Sequence, residues 1–234
     1  MSKQVAFLYP KWKHRRQLSP EHQSNYKGYK PFLQEEFACH CVYCRTPDTM
    51  KGYDAFGVEH YLPKSTHPEL ELEYSNLYYA CNSCNSLKGD LVPTRDLFIP
   101  NPCDHIMWDH LRCWQYHVEG RSQAGRFTIE LLNLNNDERM MFRKAVIDSI
   151  AAVRHKLASL RITEREIREK MELHSSRKLN KSLIVILNAI DELENSLLIL
   201  QGERRARFDS DNKPPHDILN QIRGKFQSLR SWFY

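Results

Sequence analysis

Two Cys-x-x-Cys pairs, Cys41–Cys44 and Cys81–Cys84, bracket Glu59, His60 and Asn76, and Asn85 follows the second pair directly. Each pair offers two thiolates from one tight turn. Two pairs can close a tetrahedral zinc site, which takes four soft ligands and leaves no open position. Cys39 and His40 stand just before Cys41, and either could replace a ligand. The repeated spacing favours Cys41. The remaining groups are not needed by zinc. His60 can exchange a proton near neutral pH. Glu59 or Asn85 can offer oxygen to a hard cation such as magnesium. Asn76 can accept a hydrogen bond from a ring nitrogen of histidine and hold one tautomer, or it can simply cap a turn.

The order of these phrases carries a resemblance. Cys41-Val-Tyr-Cys44, Glu59-His60-Tyr-Leu-Pro63-Lys64, Asn76-Leu77 and Cys81-Asn-Ser-Cys84-Asn85-Ser-Leu-Lys88 together resemble the zinc-stapled HNH endonucleases. That resemblance implies a ββα-metal core with a structural zinc; with the helical C-terminal region that the later apolar stripes indicate, the fold class is α+β. It implies that His60 is the general base that deprotonates water and that Asn76 orients its ring. Glu59 and Asn85 would hold a catalytic divalent cation, and Lys64 and Lys88 would meet flanking phosphates. Position 59 is Glu where Asp is common, and position 85 is Asn where His is named. A neutral amide tilts the cation towards magnesium or manganese. A small HNH core with an appended helical segment also resembles the effector nucleases of bacterial anti-phage systems, Septu-type and retron-associated proteins among them. In such systems an ATPase partner often restrains the nuclease.

The elements that must position these residues follow from local pattern. Residues 53–63 read as the metal-finger hairpin, with Gly52 and Gly57 as bends, and Tyr74 to Ala80 as the start of the helical side. Lys88-Gly89 reads as a helix end. Pro31 to Phe37 reads as a short helix. Arg126 to Glu130 reads as a strand from its β-branched and aromatic content. Cys103, His105, His110 and Cys113 are too irregularly spaced to suggest a second metal site. Val146, Ile150, Val153, Leu157 and Leu160 recur in steps of three and four, as do Leu183, Ile186, Ile190, Leu193, Leu197 and Leu200. That is the stripe of packed helices, with a cap near Asn135–Asp137 and a break near His174. Residues 202–215 read as a linker and 215–233 as a last short helix. The helices would pack on the core, dock a partner or form a homo-oligomer.

Three regions are therefore expected: a basic N-terminal arm (1–37), a nuclease domain (38–136) and a helical domain (137–234). The 234 residues suffice for a buried core. The net charge of +5 suits a polyanion such as DNA without requiring one. Lys11, Trp12, Lys13, His14, Arg15, Arg16, Tyr26, Lys27, Tyr29 and Lys30 give the arm charges for phosphates and rings for bases, or a solvated segment whose rings pack on the core. The N-terminus lacks a signal-peptide pattern and no apolar run is long enough to span a bilayer, so a cytoplasmic, reducing setting is expected, where paired cysteines favour metal. The rival readings are a non-catalytic zinc module that binds nucleic acid and a helical interaction protein.

Overall fold

The computed structural model describes residues 7–174 and 176–201. A single 3-10 turn, Tyr26–Tyr29, is capped by the Asn25 side chain and runs into α1, Lys30–Glu36. Pro31 sits in the first turn of α1, where a missing N–H costs nothing. After the first cysteine turn comes α2, Asp48–Lys51. Strands β1 (Phe56–His60) and β2 (Leu77–Cys81) then pair antiparallel, with Phe56 opposite Cys81 and His60 opposite Leu77. Helix α3, Asn82–Lys88, starts directly from β2 and stops at Gly89, whose φ of 53° suits glycine. The metal-finger hairpin is thus wider than residues 53–63. Gly57 lies inside β1, and Leu77 to Ala80 form a strand, not a helix. All five β2 residues are buried, so the strand shows neither helical nor alternating period.

A second unit follows: α4 (Met107–His110), the β3–β4 hairpin (Leu111–Trp114 and His117–Gly120) and α5 (Gln123–Leu131). The strand expected at Arg126 to Glu130 is therefore helix. Ser122 caps it by accepting from the Gly125 N–H, and Ala124, Gly125 and Thr128 form its buried face. Tertiary packing overrides the β-branched preference of Thr128 and Ile129. Gly125 lets α5 press against α4: a Cβ there would lie 1.9 Å from the His110 carbonyl oxygen.

From Asn136, whose side chain caps the Arg139 N–H, α6 runs over Asp137–Leu173, and α7 returns over Arg177–Gln201. The stripes meet as the sequence implies, with Val153, Leu157 and Ile190 buried between the helices. Arg161 and Glu194 tie them across the surface. The far end of α7 comes back to the core, where Leu197 and Leu200 pack and Thr49 Oγ1 donates to the Ile199 carbonyl at 3.1 Å. The expected linker and last helix beyond Gln201 lie outside the described residues.

The N-terminal arm wraps the core. Arg16 lies over the rings of Phe37, Tyr74 and Tyr78 and donates to the Leu77 carbonyl at 2.6 Å. Glu36 receives the N–H groups of Gln17 and Leu18 and sits 2.6 Å from His14 Nε2. His14, Arg16 and Tyr29 are thus spent inside the protein, while Lys11, Trp12, Lys13, Arg15 and Lys27 stay exposed.

Candidate active site

Local backbone brings the four thiols together. Cys41 and Cys44 sit on a turn closed by the Arg45 N–H donating to the Cys41 carbonyl, with Arg45 at φ 57°. The Val42 N–H bonds the Tyr79 carbonyl and moors that turn to β2. Cys81 is the last residue of β2 and Cys84 lies in the first turn of α3. All four are buried, and their sulfurs lie within 4.8 Å of one another. Cys44 and Cys81 sulfurs stand 3.7 Å apart. A tetrahedral zinc with bonds of about 2.3 Å spaces its sulfurs by about 3.8 Å. The donor set therefore fits a structural zinc, and Cys39 and His40 stand outside it. The Cys44 thiol is held well below its ordinary pKa, chiefly by its hydrogen bond with Cys41.

Four thiolates around a divalent ion leave net negative charge. Arg139, from the first turn of α6, answers it: its guanidinium lies 3.4 Å from Cys84 Sγ and donates to Ser83 Oγ at 2.6 Å. Burial works against that charge, but the sulfurs of Cys84 and Cys44 outweigh it and raise the pKa of Arg139. Sequence reading missed Arg139, because no spacing links it to cysteines over fifty positions away. A polar partner behind a metal ligand is nevertheless usual.

His60 ends β1 with its ring half-buried against the edge of the Tyr26 ring, centroids 4.9 Å apart. Its Nε2 lies 3.0 Å from the Glu71 carbonyl oxygen. A carbonyl only accepts, so in this contact Nε2 carries the hydrogen and the lone pair is left on Nδ1. Burial, aided by the charges of Lys64 and Lys88, holds the His60 pKa below its ordinary 6.5 against an opposing pull from Glu71. The ring is therefore neutral at physiological pH, as a base must be.

The neighbours of His60 depart from expectation in three places. Asn76 does not hold the ring. Its amide accepts from the Leu62 N–H at 2.8 Å and donates to the Leu62 carbonyl at 3.0 Å and the Leu70 carbonyl at 3.3 Å, so it shapes the loop beyond His60. Lys88 does not face phosphate. It is buried, 2.6 Å from Glu59 Oε1, and donates to the His60 carbonyl at 2.8 Å. Glu59, 2% exposed, has its charge answered by Lys88, and the Tyr43 hydroxyl stands 3.5 Å from the same oxygen. Burial still raises its pKa to about 7, with Lys88 opposing. Asn85 turns its Nδ2 to the Val58 carbonyl at 3.2 Å. The oxygens of Glu59 and Asn85 suit a hard cation chemically, but Glu59 as arranged already holds an ammonium and does not fit a second cation. Only Lys64 remains at the surface beside His60, over the Tyr26 ring and 3.5 Å from Glu71.

Comparison with known proteins finds likenesses to this chain. Residues 41–91 match the HNH endonuclease family model. The Septu protein PtuB of Bacillus thuringiensis is 32% identical over 109 residues, which cover 46% of this chain and 41% of that relative. The match thus spans less than half of either protein. No solved structure matches the chain. The resemblance read from the motifs is borne out over the segment that carries them.

Proposed function

We propose that the chain is an HNH-type endonuclease that hydrolyses phosphodiester bonds in DNA and acts as an effector in anti-phage defence. One observation carries the catalytic part: an imidazole, His60, fixed through Nε2 at the end of a hairpin whose other strand and following helix supply two of four converging thiols. His60 Nδ1 takes the proton from the attacking water. The Glu71 carbonyl holds the ring in the required tautomer, and Asn76 fixes the loop that presents that carbonyl. Lys64 meets a flanking phosphate. Lys88 and Glu59 act from behind, locking the His60 backbone to α3. A cation held by Glu59 and Asn85 is carried by the resemblance alone; so is dependence on magnesium or manganese.

The defence role rests on the likeness to PtuB. An ATPase partner, or a second copy of this chain, would dock on α6 and α7, where Ile184 and Val185 remain 58% and 66% exposed. Among the described residues no helix is long and apolar enough to cross a membrane. The Glu59–Lys88 pair also favours a second reading, a zinc module that binds nucleic acid without cutting it. Purified protein with plasmid DNA separates the two. The wild type should cleave when magnesium or manganese is added, and His60→Ala should lose at least about a hundredfold in rate, the ordinary contribution of a general base, while still binding. Equal cleavage by both proteins would remove His60 from the role of base; binding with no cleavage by either would leave the binder.

A further inference from the structure

We propose that the β3–β4 hairpin, together with Lys11 and Trp108, is a docking platform for a single strand of nucleic acid. One base stacks on Trp114, and the strand's phosphates lie on Arg112, Arg121 and Lys11. The proposal deepens the nuclease reading by naming a grip for the substrate away from His60.

The alternation of β3 sets the surface. Leu111 and Cys113 point into the core, so Arg112 and Trp114 point out. Trp114 is 55% exposed, unusual for so large an apolar ring. Trp108 lies below as a hub: Lys11 Nζ is 4.5 Å from its ring centre, the Arg112 guanidinium 4.9 Å and that of Arg121 6.0 Å. Arg112 also lies 5.4 Å from the Trp114 ring. Three cations are thus gathered by aromatic faces. Among the described residues none of them is within ion-pair distance of a carboxylate, although Asp109 and Glu119 are close in the chain and Glu119 is paired with Arg112 across the hairpin. Their charge is left for an outside anion, while the rings already limit their freedom.

Positive charge interleaved with exposed tryptophan fits an unpaired strand, which offers phosphates and bare base faces together. A duplex hides those faces, and a purely apolar partner gains nothing from three cations that hold no ion pair. The platform is also within reach of the hairpin that holds His60. The Tyr61 hydroxyl donates to the Ile99 carbonyl at 2.9 Å, and Ile99 and Trp108 are nine positions apart, a span of at most about 30 Å.

Binding is measured on the full chain carrying His60→Ala, without divalent cations, so that no outcome depends on cleavage. The probes are a fluorescein-labelled oligothymidylate and a duplex of matching length. The oligothymidylate should bind more tightly than the duplex and quench tryptophan fluorescence. Trp114→Ala should weaken its binding about tenfold, within the usual worth of one stacked base. Arg112→Ala with Arg121→Ala should flatten the slope of log affinity against log salt by about 1.4, two phosphate contacts on a single strand. Circular dichroism melts of the variants should match the parent, since the side chains removed lie at the surface. Unchanged affinity in Trp114→Ala with an unchanged salt slope would overturn the proposal and leave the face to a protein partner. Should His60→Ala fail to abolish cleavage, the nuclease reading falls while the binding result stands.

Discussion

At the residue scale the site depends on which atoms already have partners. His60 gives its Nε2 hydrogen to Glu71, which leaves Nδ1 as the basic atom. Its depressed pKa has a kinetic consequence. The base is neutral above that pKa and protonated below it, so kcat/KM should be flat through neutrality and fall only at a pH below 6.5. Lys64→Gln removes a charge that disfavours the imidazolium and should move that acid limb upward; a pH–rate profile of both proteins tests this. Lys88 and Glu59 form an ion pair with both side chains 2% exposed. Removing one partner of such a pair typically costs about 3–5 kcal/mol. Lys88→Met should therefore lower the melting temperature markedly. Its deficit should grow as pH rises above about 7, because Lys88 opposes the burial that raises the Glu59 pKa: without it that pKa rises further, and the buried carboxyl goes on losing folded stability beyond the pH at which the wild type's loss has ended. Melts across that range, compared with wild type, check the sign. These contacts were not legible in the sequence. The resemblance grouped Glu59, Asn76, Asn85 and Lys88 in one motif, but the bonds that assign their work run between positions far apart in the chain.

At the scale of elements, legibility followed local pattern. α1, the end of α3 and the paired stripes of α6 and α7 were readable, because caps, Gly89 and helical periodicity are written in adjacent residues. β2 was not, because burial on both faces erases its alternation, and α5 was mistaken for a strand on the β-branched and aromatic content of Phe127, Thr128 and Ile129. The N-terminal arm shows how one buried group can govern a segment. Burial alone would raise the Glu36 pKa; the Gln17 N–H, His14 and the Leu18 N–H outweigh it and bring it below the ordinary value. The resulting stabilisation is present above the unfolded pKa and is lost as pH falls through the folded one. The amides of Gln17 and Leu18 should accordingly be protected from hydrogen exchange at neutral pH and lose that protection first on acidification. Glu36→Gln should expose them at neutral pH as well.

At the scale of the whole molecule, the thiol cluster joins parts of the chain that are otherwise distant: the turn at Cys41, the end of β2, the start of α3 and, through Arg139, the root of α6. Such a cluster contributes folding energy directly when it holds zinc. Purified protein should carry one zinc ion per chain by metal analysis. A strong chelator, or Cys44→Ser, should release it and abolish the cooperative thermal transition of the core, helices included; an unaltered melt after metal loss would contradict this.

Gly125 shows a different kind of constraint. With the His110 carbonyl where a Cβ would sit, the position admits no side chain unless α4 and α5 move apart. Descendants of this gene can vary the exposed face of α5 freely. At that one site drift is closed to them, whatever selection acts on the chemistry elsewhere.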